Sequence, residues 1–266
     1  MKEKKIHKQL NYWLDFLFAM TEKEIKARYK HATLGFLWVL LNPLLQMLVI
    51  GFVFQFFVPV ETENYFLFLF AGLLPWNFFS MSITKTTPTF VYERNLIQKA
   101  RFPRESIVLS IVFSNFFHLL TSFALFLPIV LFFGLGNIFN WIILVPALLW
   151  LLLLTSGMSL FFSSLNVKYR DVNFVVQAIM PLWFYATPVV YSLELIPQSI
   201  KQLFYLNPMT GLILLFRYGS IGYVDSVIIG DELTKVLLAG LVVSILIIIL
   251  GIRVFKKESP TFDDWM

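Results

Sequence analysis

Polar side chains are scarce in this sequence, and where they interrupt its apolar runs they do so at helical spacing. Trp38, Asn42 and Gln46 stand four apart. Asn173 and Gln177 do the same, with Met180, Phe184, Thr187 and Tyr191 continuing their face. Asn115, His118 and Ser122 make a third set. Side chains three or four apart share one face of an α-helix. Amides beside aromatic rings suit sugars, whose apolar ring faces stack on the aromatics while the amides meet hydroxyls. The same amides also serve hydrogen bonding between helices in a membrane, so the spacing alone leaves a pathway and a packing seam both open.

Other chemistry is missing from the sequence. There is no G-x-x-x-x-G-K-[ST] phosphate cradle, no readable Ser/His/Asp set and no G-x-S-x-G turn. The absence of cysteine excludes disulfides, thiolate metal sites and cysteine nucleophiles. His7, His31 and His118 are too far apart to form a metal-spaced pair. A charge at the bilayer centre costs roughly 2.5–3.5 kcal/mol on insertion scales, and ion-coupled transporters keep such groups because they use them. Here only His118 stands well inside an apolar run, which disfavours proton-driven transport. The expectation is a chain that is not an enzyme, holds no cofactor or metal and draws its energy from another subunit.

One charged island needs an explanation. ERNLIQKARFPRES, residues 93–106, separates two long apolar runs. Leu96, Ile97 and Ala100 share one helical face while Arg94, Lys99 and Arg101 point elsewhere, and Pro88 and Pro103 bracket the segment. The pattern fits a short amphipathic helix docked on a soluble partner, and equally a basic loop that only fixes topology.

The elements that carry these residues follow from composition. The 266 residues are 58% hydrophobic and 14% charged, with 30 Phe, and the mean hydropathy is +0.77. Several runs exceed the roughly 18–20 apolar residues that cross a hydrocarbon core. Backbone polar groups cannot stay bare in lipid, so these runs must be helices, and the alternating ten-residue segments of a β-barrel are not present. The chain reads as an all-α polytopic membrane protein with six transmembrane helices at about 34–58, 65–83, 106–133, 138–165, 172–193 and 232–252.

Before the first span, Leu10, Trp13, Leu14, Leu17, Thr21 and Ile25 fall on one face and Asn11, Asp15, Glu22 and Lys26 on another, with Tyr12 and Phe16 interrupting the polar side. This is the pattern of a helix lying in the membrane interface. Between spans five and six, residues 194–231 hold two short apolar pieces, IPQSIKQLFYL and MTGLILLFRYG, split by Asn207 and Pro208. Such pieces suit re-entrant or interfacial helices. Lys and Arg set the orientation: 18 of the 21 fall in 1–33, 84–105, 166–171 and the tail after Ile252, leaving Lys201, Arg217 and Lys235 opposite. Both termini are therefore expected in the cytoplasm, and the basic balance needs no nucleic acid. The expected parts are a cytoplasmic segment 1–33, a transmembrane domain 34–252 and a short cytoplasmic tail 253–266.

Five stretches together resemble a known family. RYKHATLGFLWVLLNPLLQM (28–47), KARFPRE (99–105), NVKYRDV (166–172), ATPVVYS (186–192) and LNPMTGLILLFRYG (206–219) resemble, in order, the membrane subunits of type-2 polysaccharide ABC exporters that move O-antigen, capsular polysaccharide or teichoic acid. The resemblance implies a homodimer in the plasma (inner) membrane, bound to two copies of a separate ATPase that carries ATP and Mg. It also implies that the N-terminal helix and the first cytoplasmic loop meet the ATPase. Residues 93–104 would then be a coupling helix, with Arg94, Leu96, Ile97, Lys99, Ala100, Arg101 and Arg104 as coupling residues. A pathway for a polyprenyl-diphosphate-linked glycan is implied at the dimer interface beside spans one and five, where Trp38, Asn42, Gln46, Asn173, Gln177, Phe184 and Tyr191 lie. Gate helices are implied near 197–206 and 209–218, with Tyr205, Asn207 and Pro208, and with Arg217 meeting the lipid diphosphate.

Two rivals differ in class. A type-2 permease for a small drug, lipid or peptide shares the topology but prefers a drier path with fewer paired amides. A membrane enzyme acting on polyprenyl-linked sugars needs charged residues clustered at a membrane face. The candidates for that, the 94–104 region and Asp225, Asp231 and Glu232, show no catalytic spacing.

Overall fold

A computed structural model describes residues 2–30, 35–57, 64–94, 102–224 and 230–265. Among them the chain is helical, with no strand. Its α-helices are α1 (Lys2–Tyr29), α2 (Trp38–Phe57), α3 (Tyr65–Thr86), α4 (Thr89–Tyr92), α5 (Glu105–Phe132), α6 (Leu144–Lys168), α7 (Asp171–Tyr185), α8 (Gln198–Leu206), α9 (Pro208–Ile221), α10 (Asp231–Glu258) and α11 (Phe262–Trp265).

Four of them, α3, α5, α6 and α10, are long and apolar enough to cross a membrane. Their bounds fall close to the expected second, third, fourth and sixth spans. The helix α3 is the centre of the bundle: 72% of its apolar window is buried, against 22% for α10. It packs against α2, α5, α6, α7 and α9. Its Phe68, Leu69, Leu73, Phe79 and Ile83 are essentially inaccessible.

The expected first span corresponds to α2, whose 20 residues run Trp38–Phe57, and the expected fifth span is shorter. The fifth span was expected to run to residue 193, but α7 stops at Tyr185. Its 15 residues reach about 22 Å at about 1.5 Å per residue, less than a ~30 Å hydrocarbon core. The reason is Pro188, which biases Thr187 away from helical geometry. Residues 186–191 become a turn instead, with 187–190 buried.

Glycine sets the closest helix contact. Gly157 of α6 faces Gly251 of α10 so tightly that a Cβ on Gly251 would overlap the Gly157 backbone. Further along α10, Gly240 lies against Trp150, whose indole N–H donates to Ser244 Oγ at 2.7 Å. Apolar attraction between helices is weak in lipid, so close packing at small residues supplies the contact.

The helix α1 lies against α5, and its faces divide as expected. Leu17 is buried and Trp13, Leu14, Thr21 and Ile25 are half-buried, while Asn11, Asp15, Glu22 and Lys26 are exposed. Lys26 hydrogen-bonds Glu22 and holds its carboxyl below the ordinary carboxylate range. Phe16, which interrupts the polar side, stacks on Phe102 at 5.1 Å between ring centres.

Candidate functional site

Two of the three polar sets converge. Trp38, Asn42 and Gln46 from α2 and Asn115, His118 and Ser122 from α5 line one cavity of about 480 Å³, joined by Asn77 of α3 and Arg28 of α1. The cavity runs from an open side to a closed one. Trp38 is 39% exposed, whereas Asn115 and His118 are 3% and 7% exposed. Hydrogen bonds tie its walls together. The Asn77 amide donates to Gln46 Oε1 at 2.8 Å, Arg28 donates to Asn115 Oδ1, and the Asn115 amide donates to Ser82 Oγ at 3.0 Å. One polar chain thus links α1, α5 and α3. No side-chain hydrogen bond to the Asn42 amide is found among the described residues, and Gln46 uses only its carbonyl oxygen. The arrangement can offer an indole face and amide hydrogen bonds to a polar guest.

Arg28 and Asn77 were not among the expected site residues. Asn77 is the lone amide within the apolar run of α3, and that isolation was the available signal. Arg28 opens the RYKHATLG stretch, with its side chain on the half-buried face of α1.

The α7 set does not join this cavity. On α7 Gln177 is exposed and Asn173 half-buried, and the Gln177 amide donates to Asn173 Oδ1 at 3.3 Å. The outer side of α7 carries Phe174, Leu182 and Tyr185, which are 68%, 70% and 62% exposed. Phe184 turns inward, with its ring centre 5.6 Å from that of Trp76. Tyr191 lies beyond the end of α7, and its hydroxyl donates to the Tyr185 carbonyl at 2.5 Å.

The two expected short helices between spans five and six are present as α8 and α9. Asn207 makes the break between them and anchors it. Its Oδ1 caps α9 by accepting from Met209 N at 3.1 Å and also accepts from Trp183 Nε1 at 3.1 Å. Its amide nitrogen donates to Ala186 O at 3.1 Å and Thr187 Oγ1 at 2.8 Å. Pro208 takes the first helical position, where it leaves no donor unmet. Tyr205 donates to Glu232 Oε2 at 3.1 Å, with Lys201 Nζ 3.8 Å from the same carboxylate.

Arg217, the residue expected to meet the lipid diphosphate, is held inside the bundle. It is fully buried. Its guanidinium donates to Val189 O at 2.6 Å, Phe68 O at 3.3 Å and Tyr191 O at 3.5 Å, and lies 3.4 Å from the centre of the Phe68 ring. Tyr65 captures the intervening Val190 carbonyl at 2.7 Å. A buried turn must find partners for its backbone, and here Arg217 and Tyr65 provide them. Gly72 makes room, because a Cβ there would approach the guanidinium to 3.1 Å.

Of the expected coupling residues, Leu96, Ile97, Lys99, Ala100 and Arg101 lie outside the described residues. Arg94 is exposed. Arg104 turns toward the C-terminal segment, donating to the Ser259 carbonyl. On the same side Lys85 pairs with Glu24 of α1 at 2.6 Å. No cluster of His, Cys, Asp and Glu suited to a metal occurs among the described residues.

Comparison with known proteins gives a consistent family. The family described as ABC-2 type transporter matches residues 16–221. The chain is 31% identical over 263 residues to the O-antigen export system permease protein RfbA of Klebsiella pneumoniae, covering 97% of each chain. It is 36% identical over 211 residues to RfbA of Myxococcus xanthus, covering 77% of this chain and 80% of that one. The polysialic acid transport protein KpsM of Escherichia coli is 20% identical over 202 residues, covering 75% of this chain and 78% of its own. The matched stretch takes in the helix carrying Arg28, the cavity helices and the Asn207–Arg217 region, and on that footing this multi-pass membrane chain belongs to the ABC-2 type transporter family.

Proposed function

We propose that this chain is the membrane subunit of an ATP-driven exporter that carries a lipid-linked polysaccharide out across the plasma (inner) membrane. The observation that carries the reading is the meeting of amides from α2, α3 and α5 beside Trp38 in one cavity, in a chain aligned end to end with permeases named for O-antigen export. A dry path for a small apolar cargo would have no use for so many amides.

In this reading α2, and α7 together with the turn that follows it, complete six spans and both termini are cytoplasmic. Two copies form one channel by closed two-fold symmetry. The exposed amide of Gln177 supports that arrangement, because polar groups in a membrane helix turn toward protein or water. The separate ATPase binds ATP and Mg and meets the 93–104 loop and α1. The lipid diphosphate enters from the inner leaflet, sugar units follow along the aromatic and amide-lined path, and α8 and α9 act as re-entrant gate helices on the outer side. Arg217 serves there as the clamp of the ATPVVYS turn, leaving the diphosphate to other groups.

The test is purification of the chain from native membranes in mild detergent, with mass spectrometry of its companions and an export assay. An ATPase should accompany it near equal stoichiometry. Leu96→Asp with Ile97→Asp should abolish export while the protein stays in the membrane. A chain that purifies alone and turns over a polyprenyl-linked sugar refutes the reading.

A further inference from the structure

Phe262 is where two separated stretches of chain converge. It is 1% exposed, and its ring centre lies 4.8 Å from that of Phe90 and 5.9 Å from that of Phe255. The Arg104 guanidinium sits 5.7 Å from the centre of the Phe262 ring while donating to the Ser259 carbonyl. Phe90 belongs to α4, immediately before the 93–104 segment, and Arg104 closes that segment. Ile107 and Val108, in the first turn of α5, share the Phe262 cluster, and Phe102 packs against it. Both ends of the cytoplasmic loop therefore stand on one aromatic plate supplied by the C-terminal segment. From the other side, α1 completes the bracket through the Phe16–Phe102 stack and through Lys23, 3.9 Å from Glu93.

We propose that the C-terminal segment 259–265 is a positioning element for coupling. It fixes the two ends of the loop between α3 and α5 and joins them to α10, so that force delivered to the loop displaces the bundle. Close-packed side chains pass a displacement on because they have little free volume to absorb it. Arg104 is then a positioning residue that works through the tail, with its guanidinium held by a carbonyl and a ring, and its part is distinct from direct contact with an ATPase. The inference rests on the reading of 93–104 as the coupling loop.

The chain contains no cysteine, so Tyr92→Cys, at the exposed end of α4 two residues after Phe90, carries a spin label at a single place. The experiment uses the full chain reconstituted with its ATPase. Phe262→Ala should mobilise the label and lower polysaccharide exported per ATP hydrolysed by about two- to thirtyfold, the range for residues that carry coupling. Phe262→Leu should restore most of both. Arg104→Ala, which leaves the aromatic cluster intact, should act in the same direction and guards against misfolding of the Phe262 variant. The double variant should lose less than the two single losses combined, because the residues touch. Unchanged label mobility and export per ATP in both single variants overturns the proposal. If Leu96→Asp with Ile97→Asp uncouples while Phe262→Ala and Arg104→Ala do not, only the role of the tail falls. If Leu96→Asp with Ile97→Asp has no effect, the coupling reading falls, and the proposal with it.

Discussion

The turn that ends α7 and the cavity beside α2 both place polar groups in apolar surroundings, and they differ in how fully those groups are matched. At the turn, the carbonyls of Val189, Val190 and Tyr191 are each taken by Arg217 or Tyr65, and Asn207 uses both ends of its amide. In the cavity, Gln46 and Asn77 bond once to each other and the Asn42 side chain is unmatched among the described residues. A saturated polar knot holds a fold, because every group lost leaves another buried without a partner. An unsaturated one has capacity left for a guest. Arg217, the lone charge of the apolar segment 209–219, is thus matched within the chain, while the amides of α2 and α3 line the cavity, which in the proposed reading is the space a substrate would use.

The strongest way to break this comparison is Arg217→Met. It should destabilise the protein by about 3 kcal/mol or more, since each hydrogen bond to a charged group contributes about 1.5–3 kcal/mol. The expected result is loss of monodisperse protein in detergent and a lower melting temperature. Arg217→Lys should recover only part, because one ammonium cannot reproduce the planar fork. A stable, monodisperse Arg217→Met protein would remove the scaffold assignment.

Asn207→Ala comes next, with a cost of about 1–2 kcal/mol from the lost cap of α9 alone. Asn207→Asp keeps the acceptor for Met209 N and Trp183 Nε1 but loses the donor to Ala186 and Thr187, so its melting temperature should fall between wild type and Asn207→Ala.

The cavity should answer in the opposite currency. Asn42→Ala and Gln46→Ala should reduce export by about two- to tenfold each, the equivalent of one net hydrogen bond. Asn42→Ala should keep stability within about 0.5 kcal/mol of wild type, whereas Gln46→Ala strips Asn77 of its acceptor and should cost about 1 kcal/mol. A loss of stability without loss of export would invert the comparison. The smallest effect is expected at the Glu24–Lys85 pair, where Lys85 is partly solvated. Glu24→Gln should cost less than about 1 kcal/mol, and less again at high salt.

Much of the scaffold was legible because lipid enforces simple rules. The runs at α3, α5, α6 and α10 exceed the crossing length, and their charged flanks mark where they end. The end of α7 was harder to see, because hydropathy continues through Val189, Val190 and Tyr191 and only Pro188 signals the break. The partners of Arg217 could not be read at all: Phe68 lies 149 residues away, and backbone carbonyls leave no mark in composition. A single cation among apolar residues invites a functional reading, while its true setting depends on tertiary contacts. For the cavity, the α2 and α5 stripes were visible as stripes, but helical spacing says which side chains share a face and nothing about which faces meet. The stripe on α7 has the same spacing and does not reach the cavity: Met180, Phe184 and Thr187 are buried and Gln177 is exposed. The tail was read as a plain tail because one aromatic after a proline, Phe262 after Pro260, is no pattern at all until Phe90 and Phe255 are beside it.

The seam between Gly157 and Gly251 gives α6 and α10 a shared fate. Two backbones that touch have no side chain between them to rotate or compress, so one cannot slide past the other without first separating. The pair is a girder with no play in its joint. Phe255 and the Trp150–Ser244 hydrogen bond lie on either side of that seam along α10. In such a bundle, small residues are the stiff parts and bulky ones the cushions, the reverse of what side-chain size would suggest.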